Sequence, residues 1–587
     1  MTIEVRCPAD GRLVGTVPTR SAEDVTAAVL ALREHQRSWA DAGPRRRARV
    51  LRAFAAWIAD NAAHLADVVQ AESGKARADA EVEAPVAVEA ITYFARNAER
   101  FLTPDPVRRS GALTAAKHLA VAFRPHPVVG VITPWNFPLL GPTFDVAPAL
   151  AAGASVLLKP SEVTPLTALE LARGWREVDA PPVFSVATGG PATGEALVDA
   201  VDFIQFTGST STGKRVAHRA VDRMVPYSLE LGGKDAAIVL ADADLDRAAA
   251  GIAWGALFNA GQVCVSVERV YVEAAVHDEF VRKLTAVVSG LRQGADDRGY
   301  RADVGAMATP AQHDVVARHV REAIAAGATA LTGGVPDPAG AFYPPTVLVG
   351  VDHAMACMRE ETFGPTIPVV AVADADEAVR LANDSAYGLS ATVWTRDIAR
   401  ARRIASTVDA GAVNVNDVYC NLFAPGLPHA GWKSSGSGAR FGGAHGVRKY
   451  CREQAVTLPR LPTPARMPYW YPYTPKEPVR PTRAGAGDGH RAPLTPTGSG
   501  RPTLHRNPRG HSMTRPLRRS LSLTVTLLAA VAFAGAAPPR RPPTSTRRPP
   551  RCRPDATATS SATRRPSSTW TRCAWCRPPR PPAGSCT

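Results

Sequence analysis

The chain has 587 residues, 45% of them hydrophobic and 21% charged, which is enough apolar material for an ordinary globular core and excludes a wholly disordered chain. Its formal net charge of +16 is unevenly spread: residues 477–587 hold 20 Arg, no Lys and three acids (Glu477, Asp488, Asp555), which leaves 49 basic against 50 acidic residues in the first 476. A nearly neutral body exerts no long-range pull on phosphate backbones or anionic membranes, so its expected partner is a small molecule, with neither nucleic acid nor membrane.

The first residues, Met1-Thr2-Ile3-Glu4, show no signal pattern. Residues 21–102 read as helices, with Ser21 as a cap before Glu23 and Asp24, and Pro44 opening a segment that runs through Trp57 and Leu65. From Val128 onward, short apolar runs alternate with helical stretches. Strands are expected at 128–133, 155–158, 183–187 and 203–206, each followed by a polar or Gly-rich turn and a helix. Such βα repetition implies a parallel sheet. A second series follows, with strands at 269–272, 346–349, 367–372 and 412–415 and helices at 374–383 and 398–408. Two α/β domains fit the length. The β-like segments 118–123 and 447–458 belong to neither series and are suited to pair with each other or with another subunit.

The last 111 residues contain 19 of the 52 prolines, many in Arg-Pro and Pro-Pro steps, and cannot build a packed core. Within them, a basic stretch from Met513, an apolar run from Leu521 to Ala534 and Gly535-Ala536-Ala537 follow the order of a secretory signal in an internal position. A fused or read-through neighbouring gene with a frame-shifted remainder is the preferred reading. The rivals are a membrane anchor, for which the run is shorter than the ~20 residues of a spanning helix, and a basic nucleic-acid tail. The five body cysteines (7, 264, 357, 420, 451) have no paired spacing, so neither a disulfide framework nor a metal site is expected and a cytoplasmic location fits. Cys573 and Cys576 share a C-x-x-C spacing in surroundings of Arg, Pro and Ser, where no redox fold is indicated.

In parallel α/β sheets ligands bind beyond the carboxyl ends of strands, so the turns there carry the chemistry. They read Pro134-Trp135-Asn136-Phe137-Pro138, Lys159-Pro160-Ser161-Glu162 and Thr207-Gly208-Ser209-Thr210-Ser211-Thr212-Gly213-Lys214. The last has P-loop spacing, but Arg215 follows where a P-loop needs a hydroxyl for Mg²⁺, which argues against an ATPase or GTPase. Further on stand Glu230-Leu231-Gly232-Gly233-Lys234, Gly261-Gln262-Val263-Cys264 and Glu361-Thr362-Phe363-Gly364-Pro365. A lone Cys among Val and Ala is usually a small buried hydrophobe.

These six segments, in this order, resemble the signatures of the aldehyde dehydrogenase superfamily, and the resemblance covers about residues 5–460. It implies a Rossmann-type cofactor domain (1–109 and 127–231), an α/β catalytic domain (232–444) and oligomerisation strands (110–126 and 445–460) of a homodimer or homotetramer; the disordered low-complexity tail (477–587) is read from its composition alone. It implies Cys264 as the nucleophile that forms a thiohemiacetal and then a thioester, Asn136 with the Cys264 N–H as the oxyanion hole, and Glu230 as the base toward the hydrolytic water. A CoA-acylating variant is disfavoured because such relatives generally lack that base.

For the cofactor it implies Trp135, Ser161 and Leu231 as contacts, Lys159 and Glu162 at the adenosine ribose, Gly208 and Ser209 at the diphosphate, and Glu361 and Phe363 on the nicotinamide side. A carboxylate at the ribose repels a 2′-phosphate, so NAD is expected over NADP. The chain also departs from the family: where members often read Pro-Phe-Gly-Gly-x-Lys, it has Pro428-His429-Ala430-Gly431-Trp432-Lys433. Leu139 to Asp145 offer no cation of the kind that holds a distal carboxylate in some succinic semialdehyde enzymes. With Val263, Val265, Tyr419, Leu422 and Phe423 at hand, an apolar aldehyde is expected.

Overall fold

The cap read at Ser21 is present, and the structure makes it a reciprocal capping box: Ser21 Oγ accepts from Asp24 N, and the Asp24 carboxylate accepts from Ser21 N, which starts the helix Ala22–Asp41. Helices Gly43–Asp60, Ala62–Ser73 and Arg77–Leu102 complete the expected helical entrance. This is a computed structural model, and it describes residues 1–472 except 112, 113, 339, 439, 440, 461, 463, 464 and 466–469. The expectations for the tail, including its signal-like run and its C-x-x-C, lie outside the described residues. Among the described residues, no helix is long and apolar enough to cross a membrane.

Two mixed sheets, each flanked by helices, form the α/β body. The first runs Gly436–Ser437, Tyr227–Glu230, Phe203–Thr207, Val128–Ile132, Ser155–Lys159, Phe184–Val186, parallel throughout except for the first pair. Strands Val128–Ile132, Ser155–Lys159 and Phe203–Thr207 are buried at every position, which is why they read as unbroken apolar runs rather than alternations. The chain leaves Val128–Ile132 toward one side of the sheet and later returns to its other side at Phe203–Thr207, so a switch point opens between their carboxyl ends.

The second sheet runs Thr329–Ala330, Thr346–Val349, Thr366–Val372, Val267–Glu273, Asp235–Val239, Ser390–Trp394, Ala412–Val415, with only the first pair antiparallel. Two of its central strands, Asp235–Val239 and Ser390–Trp394, were not expected. Ala236-Ala237 and Ser390-Ala391-Thr392 have modest strand preference of their own and become strands through pairing on both sides. The N-terminal hairpin Thr2–Arg6 with Leu13–Pro18 was missed too, since much of it faces solvent.

The two isolated β segments do pair with each other. Lys117–Pro125 runs antiparallel to Cys451–Pro459, with Asp105–Val107 on its other edge. The expected start at 447 is corrected: Val447 is fully buried within the helix Gly443–Arg448, and the strand begins at Cys451. Likewise the helix expected at 398–408 ends at Ala405.

Candidate active site

At the switch point lie two adjoining cavities that share Pro134, Thr207, Gly208 and Ser209. The inner one, about 270 Å³, is lined by Trp135, Asn136, Leu231, Cys264, Glu361 and Phe363 together with apolar side chains. The outer one, about 490 Å³, is lined by Lys159, Ser161 and Glu162 at the end of strand Ser155–Lys159, and by Thr212, Arg215 and Arg219 across from them. Of the residues expected to act in catalysis or to bind the cofactor, the structure thus brings together all except Glu230. Lys214, the lysine of the P-loop spacing, is exposed and lines neither cavity.

Cys264 is a half-buried residue presented by a tight turn after the helix Leu245–Leu257. Asn259 (φ 53°), Ala260 (φ 54°) and Gly261 (φ 73°) take left-handed backbone in succession, a conformation that side chains strain to adopt and that needs outside support. Gln262 supplies it. Its Nε2 donates to the carbonyls of Asn259 (3.0 Å) and Ala306 (3.2 Å), and its Oε1 accepts from Ala308 N (2.8 Å). The Asn259 N–H is taken by Asp79 Oδ2 at 3.0 Å. Burial pushes the Asp79 carboxyl up to about 7, partly offset by the charge of Lys75.

Asn136 is held from both ends. Its side-chain Nδ2 donates to Gln262 O (2.9 Å), while its carbonyl accepts from Lys75 Nζ (2.8 Å) and Asn259 Nδ2 (3.0 Å). Lys75 is in turn paired with buried Glu83 at 2.7 Å. The second Glu83 oxygen accepts from Leu139 N and Leu140 N, the orphan amides at the start of the helix Leu140–Ala152.

On the opposite wall, the Glu361 carboxylate accepts from Gly233 N at 3.0 Å. A Cβ on Gly232 would run into that carboxylate, and one on Gly233 into the Cys264 carbonyl, so the glycine pair is required by close approach. Burial, then the charge of Glu268, pushes the Glu361 carboxyl up to about 8. Lys234 braces this wall from behind: its Nζ meets Glu268 at 2.5 Å and Thr362 Oγ1 at 3.0 Å, and Glu268 accepts from Thr362 N and Phe363 N, both at 2.8 Å. Phe363 then stands edge-on to Trp135, with ring centroids 5.5 Å apart.

Glu230 ends the strand Tyr227–Glu230 and is only 2% exposed; the next two residues, Leu231 and Gly232, line the inner cavity and Glu230 does not. Its Oε2 lies 3.5 Å from Nε2 of His429. Of the five apolar residues expected near the substrate, Val263 and Leu422 line the inner cavity. Val265 is packed core, Tyr419 is buried with its hydroxyl donating to Gly255 O at 2.5 Å, and Phe423 stacks with Trp254. Phe137, Leu140, Phe144 and Val315 take their place. No Lys or Arg is among the described residues lining that cavity.

Gln262, Lys75, Glu83 and Glu268 were given no role in the sequence. Gln262 and Lys234 stand inside quoted motifs, whereas nothing around Lys75 or Glu83 distinguishes them from helix-surface charges.

Cys264, the Asn136 amide and the Glu361 carboxyl thus line one cavity that adjoins a second, larger one. The chain belongs to the aldehyde dehydrogenase family, whose profile matches residues 1–456. It is 41% identical over 456 residues, 77% of this chain and 87% of the relative, to a Mycolicibacterium smegmatis protein provisionally named a succinate-semialdehyde dehydrogenase using NADP(+). It is 38% identical over 476 residues, 81% of this chain and 88% of the relative, to a 4,4'-diapolycopene aldehyde oxidase of Methylomonas sp.. Among solved structures, an NAD-dependent aldehyde dehydrogenase from Sinorhizobium meliloti matches with TM-score 0.76 and 35% identity, over 80% of this chain and 93% of that one.

Proposed function

We propose that this aldehyde dehydrogenase oxidises an apolar aldehyde to its carboxylic acid with NAD(P), through a covalent intermediate on Cys264. The observation that carries the reading is the inner cavity itself. There Cys264 and Asn136 meet a wall of Phe137, Leu140, Phe144 and Leu422, with no cation to hold a second carboxylate among the described lining residues. The carotenoid aldehyde in one relative's name agrees with an apolar substrate, and the succinic semialdehyde in another's does not.

The Cys264 thiolate attacks the carbonyl carbon, and the oxyanion that forms is held by the second N–H of the Asn136 amide and by the backbone N–H of Cys264. Bound NAD(P) supplies the hydride acceptor that takes the thiohemiacetal to a thioester. Glu230 receives a proton from water as that water adds to the thioester carbon. The C–S bond then breaks, releasing the acid and restoring the thiolate.

Trp135, Leu231, Glu361 and Phe363 hold the nicotinamide half, Gly208 and Ser209 the diphosphate at the N-terminus of the helix Thr210–Asp222, and Lys159, Ser161 and Glu162 the adenosine ribose. Residues 1–109 and 127–231 form the cofactor domain and 232–444 the catalytic domain. The unpaired spacing of the five body cysteines agrees with a reducing, cytoplasmic setting.

For the cofactor, Glu162 alone argues for NAD. Two observations favour accepting NADP as well: Glu162 is paired with Lys159 at 3.1 Å, and Arg215 lines the same cavity, its guanidinium donating to the Thr212 hydroxyl at 3.2 Å. The test is absorbance of reduced cofactor over a panel running from hexanal to succinic semialdehyde, with each dinucleotide. Higher kcat/KM for succinic semialdehyde than for hexanal sinks the apolar reading, and no turnover with NADP sinks the dual one.

A further inference from the structure

The chain departs from its family's Pro-Phe-Gly-Gly-x-Lys pattern at His429, and the fold sets that residue against the carboxylate of Glu230. Both side chains are buried, 1% and 2% exposed, with Nε2 and Oε2 3.5 Å apart. The loop carrying His429 is stitched to the strand carrying Glu230. Gly436 and Ser437 pair antiparallel with Glu230 and Leu229, and Leu231 N donates to Ser435 O at 2.9 Å. His429 N donates to Phe441 O at 3.0 Å, and the imidazole stacks on the Phe441 ring at 5.0 Å and 10°. Phe441 stacks in turn on Phe144, a wall of the inner cavity, at 4.3 Å and 24°. The stack fixes the plane of the imidazole, and the stitched loop fixes its distance from the carboxylate.

We infer that His429 is a positioning residue for Glu230: the imidazole Nε2 edge faces Oε2 at 3.5 Å and draws that oxygen toward it electrostatically, so that Oε1 is the oxygen that takes the proton from the attacking water. The inference rests on the reading of Glu230 as the deacylation base. A phenyl ring at 429 stacks on Phe441 as well as an imidazole does, but it presents a C–H edge to a buried carboxylate oxygen. Attack by Cys264 and the reduction of the cofactor precede the step that uses Glu230, so a defect at 429 belongs to thioester hydrolysis alone.

The experiment compares the full-length wild type with His429→Phe, His429→Gln and Glu230→Gln, mixed rapidly with hexanal and NAD. For His429→Phe the expected result is a burst of NADH of about one equivalent at the wild-type rate, then a steady state slowed about ten-fold or more. Because hydrolysis then limits turnover, kcat and KM fall together and kcat/KM stays unchanged. His429→Gln, which restores an N–H at similar reach, recovers part of kcat. A folded His429→Phe enzyme with wild-type burst and steady state overturns the inference, as does one that loses burst and steady state alike. If the Phe variant melts early, His429→Leu against His429→Gln makes the same comparison without and with an N–H. Glu230→Gln separates the two claims. If it hydrolyses the thioester at the wild-type rate, the base reading fails and the inference falls with it. If it stalls while His429→Phe does not, only the inference fails.

Discussion

Cys264 faces the groove because three residues before it accept left-handed backbone, and Gln262 ties that turn to Asn259, Ala306 and Ala308. Two consequences belong to single residues. Cys264→Ala should abolish aldehyde oxidation while leaving dinucleotide binding, followed by fluorescence titration, essentially unchanged, since the thiol forms the covalent bond and holds no part of the cofactor. Turnover by the Ala variant rejects the nucleophile. Gln262→Ala leaves the buried Ala308 N–H and the Ala306 carbonyl without their side-chain partner, an expected cost of about 1–3 kcal/mol for each group left unsatisfied. Its kcat should drop with its thermal midpoint; a stable variant with full kcat denies Gln262 this bracing role.

Whole elements are aimed by buried charge. Lys234 follows the glycine pair and reaches Glu268, which grips the backbone of Thr362 and Phe363; one ion pair therefore aligns the strand Val267–Glu273 with the loop that carries Glu361. Lys234→Met leaves Glu268 buried with an uncompensated charge, for which a loss of about 3–5 kcal/mol is expected in denaturant titration. A change below 1 kcal/mol shows that the pair is dispensable. Among the described residues, Cys451–Pro459 is an edge strand exposed at most of its length and paired on one side only. An uncovered edge of nine residues invites another chain, and we expect a homodimer or homotetramer by light scattering, for the full chain and for one ending at Lys476. A monomer in both contradicts this.

Across the whole molecule, several buried groups titrate far from their usual range. Burial pushes the carboxyls of Glu72 and Asp79 up to about 7 and that of Glu361 up to about 8. Each keeps its proton in the folded state at pH values where the unfolded chain, with pKa near ~4, has released it. Stability from these groups therefore falls as pH rises from ~4 to their folded values. His126 acts oppositely: burial and nearby Arg452 hold it down to about 4, so its contribution grows as pH rises to the unfolded value of ~6.5. The thermal midpoint is expected to decline from about pH 6.5 to 8.5, and Glu361→Gln to flatten the upper part of that decline. A midpoint that rises across this window contradicts the assignment of the raised carboxyls.

The sequence alone determined what local chemistry dictates. The Ser21 cap, the fully buried strands Val128–Ile132 and Ser155–Lys159, and the motifs around Asn136, Glu162, Gly208 and Cys264 were legible because each carries its reason within a few neighbouring residues. The tertiary structure decided what depends on distant partners. Asp235–Val239 and Ser390–Trp394 are strands because neighbours pair with them on both sides. Lys75 and Glu83 are buried supports because Asn136 and the helix Leu140–Ala152 are brought onto them. Tyr419 is core and Phe144 cavity wall because a side chain's destination is set by what packs around it. His429 meets Glu230, 199 positions earlier, because Gly436–Ser437 completes the edge of the first sheet. Periodicity and spacing act over a few residues, whereas ion pairs, stacked rings and cavity walls are made by segments that only folding brings together.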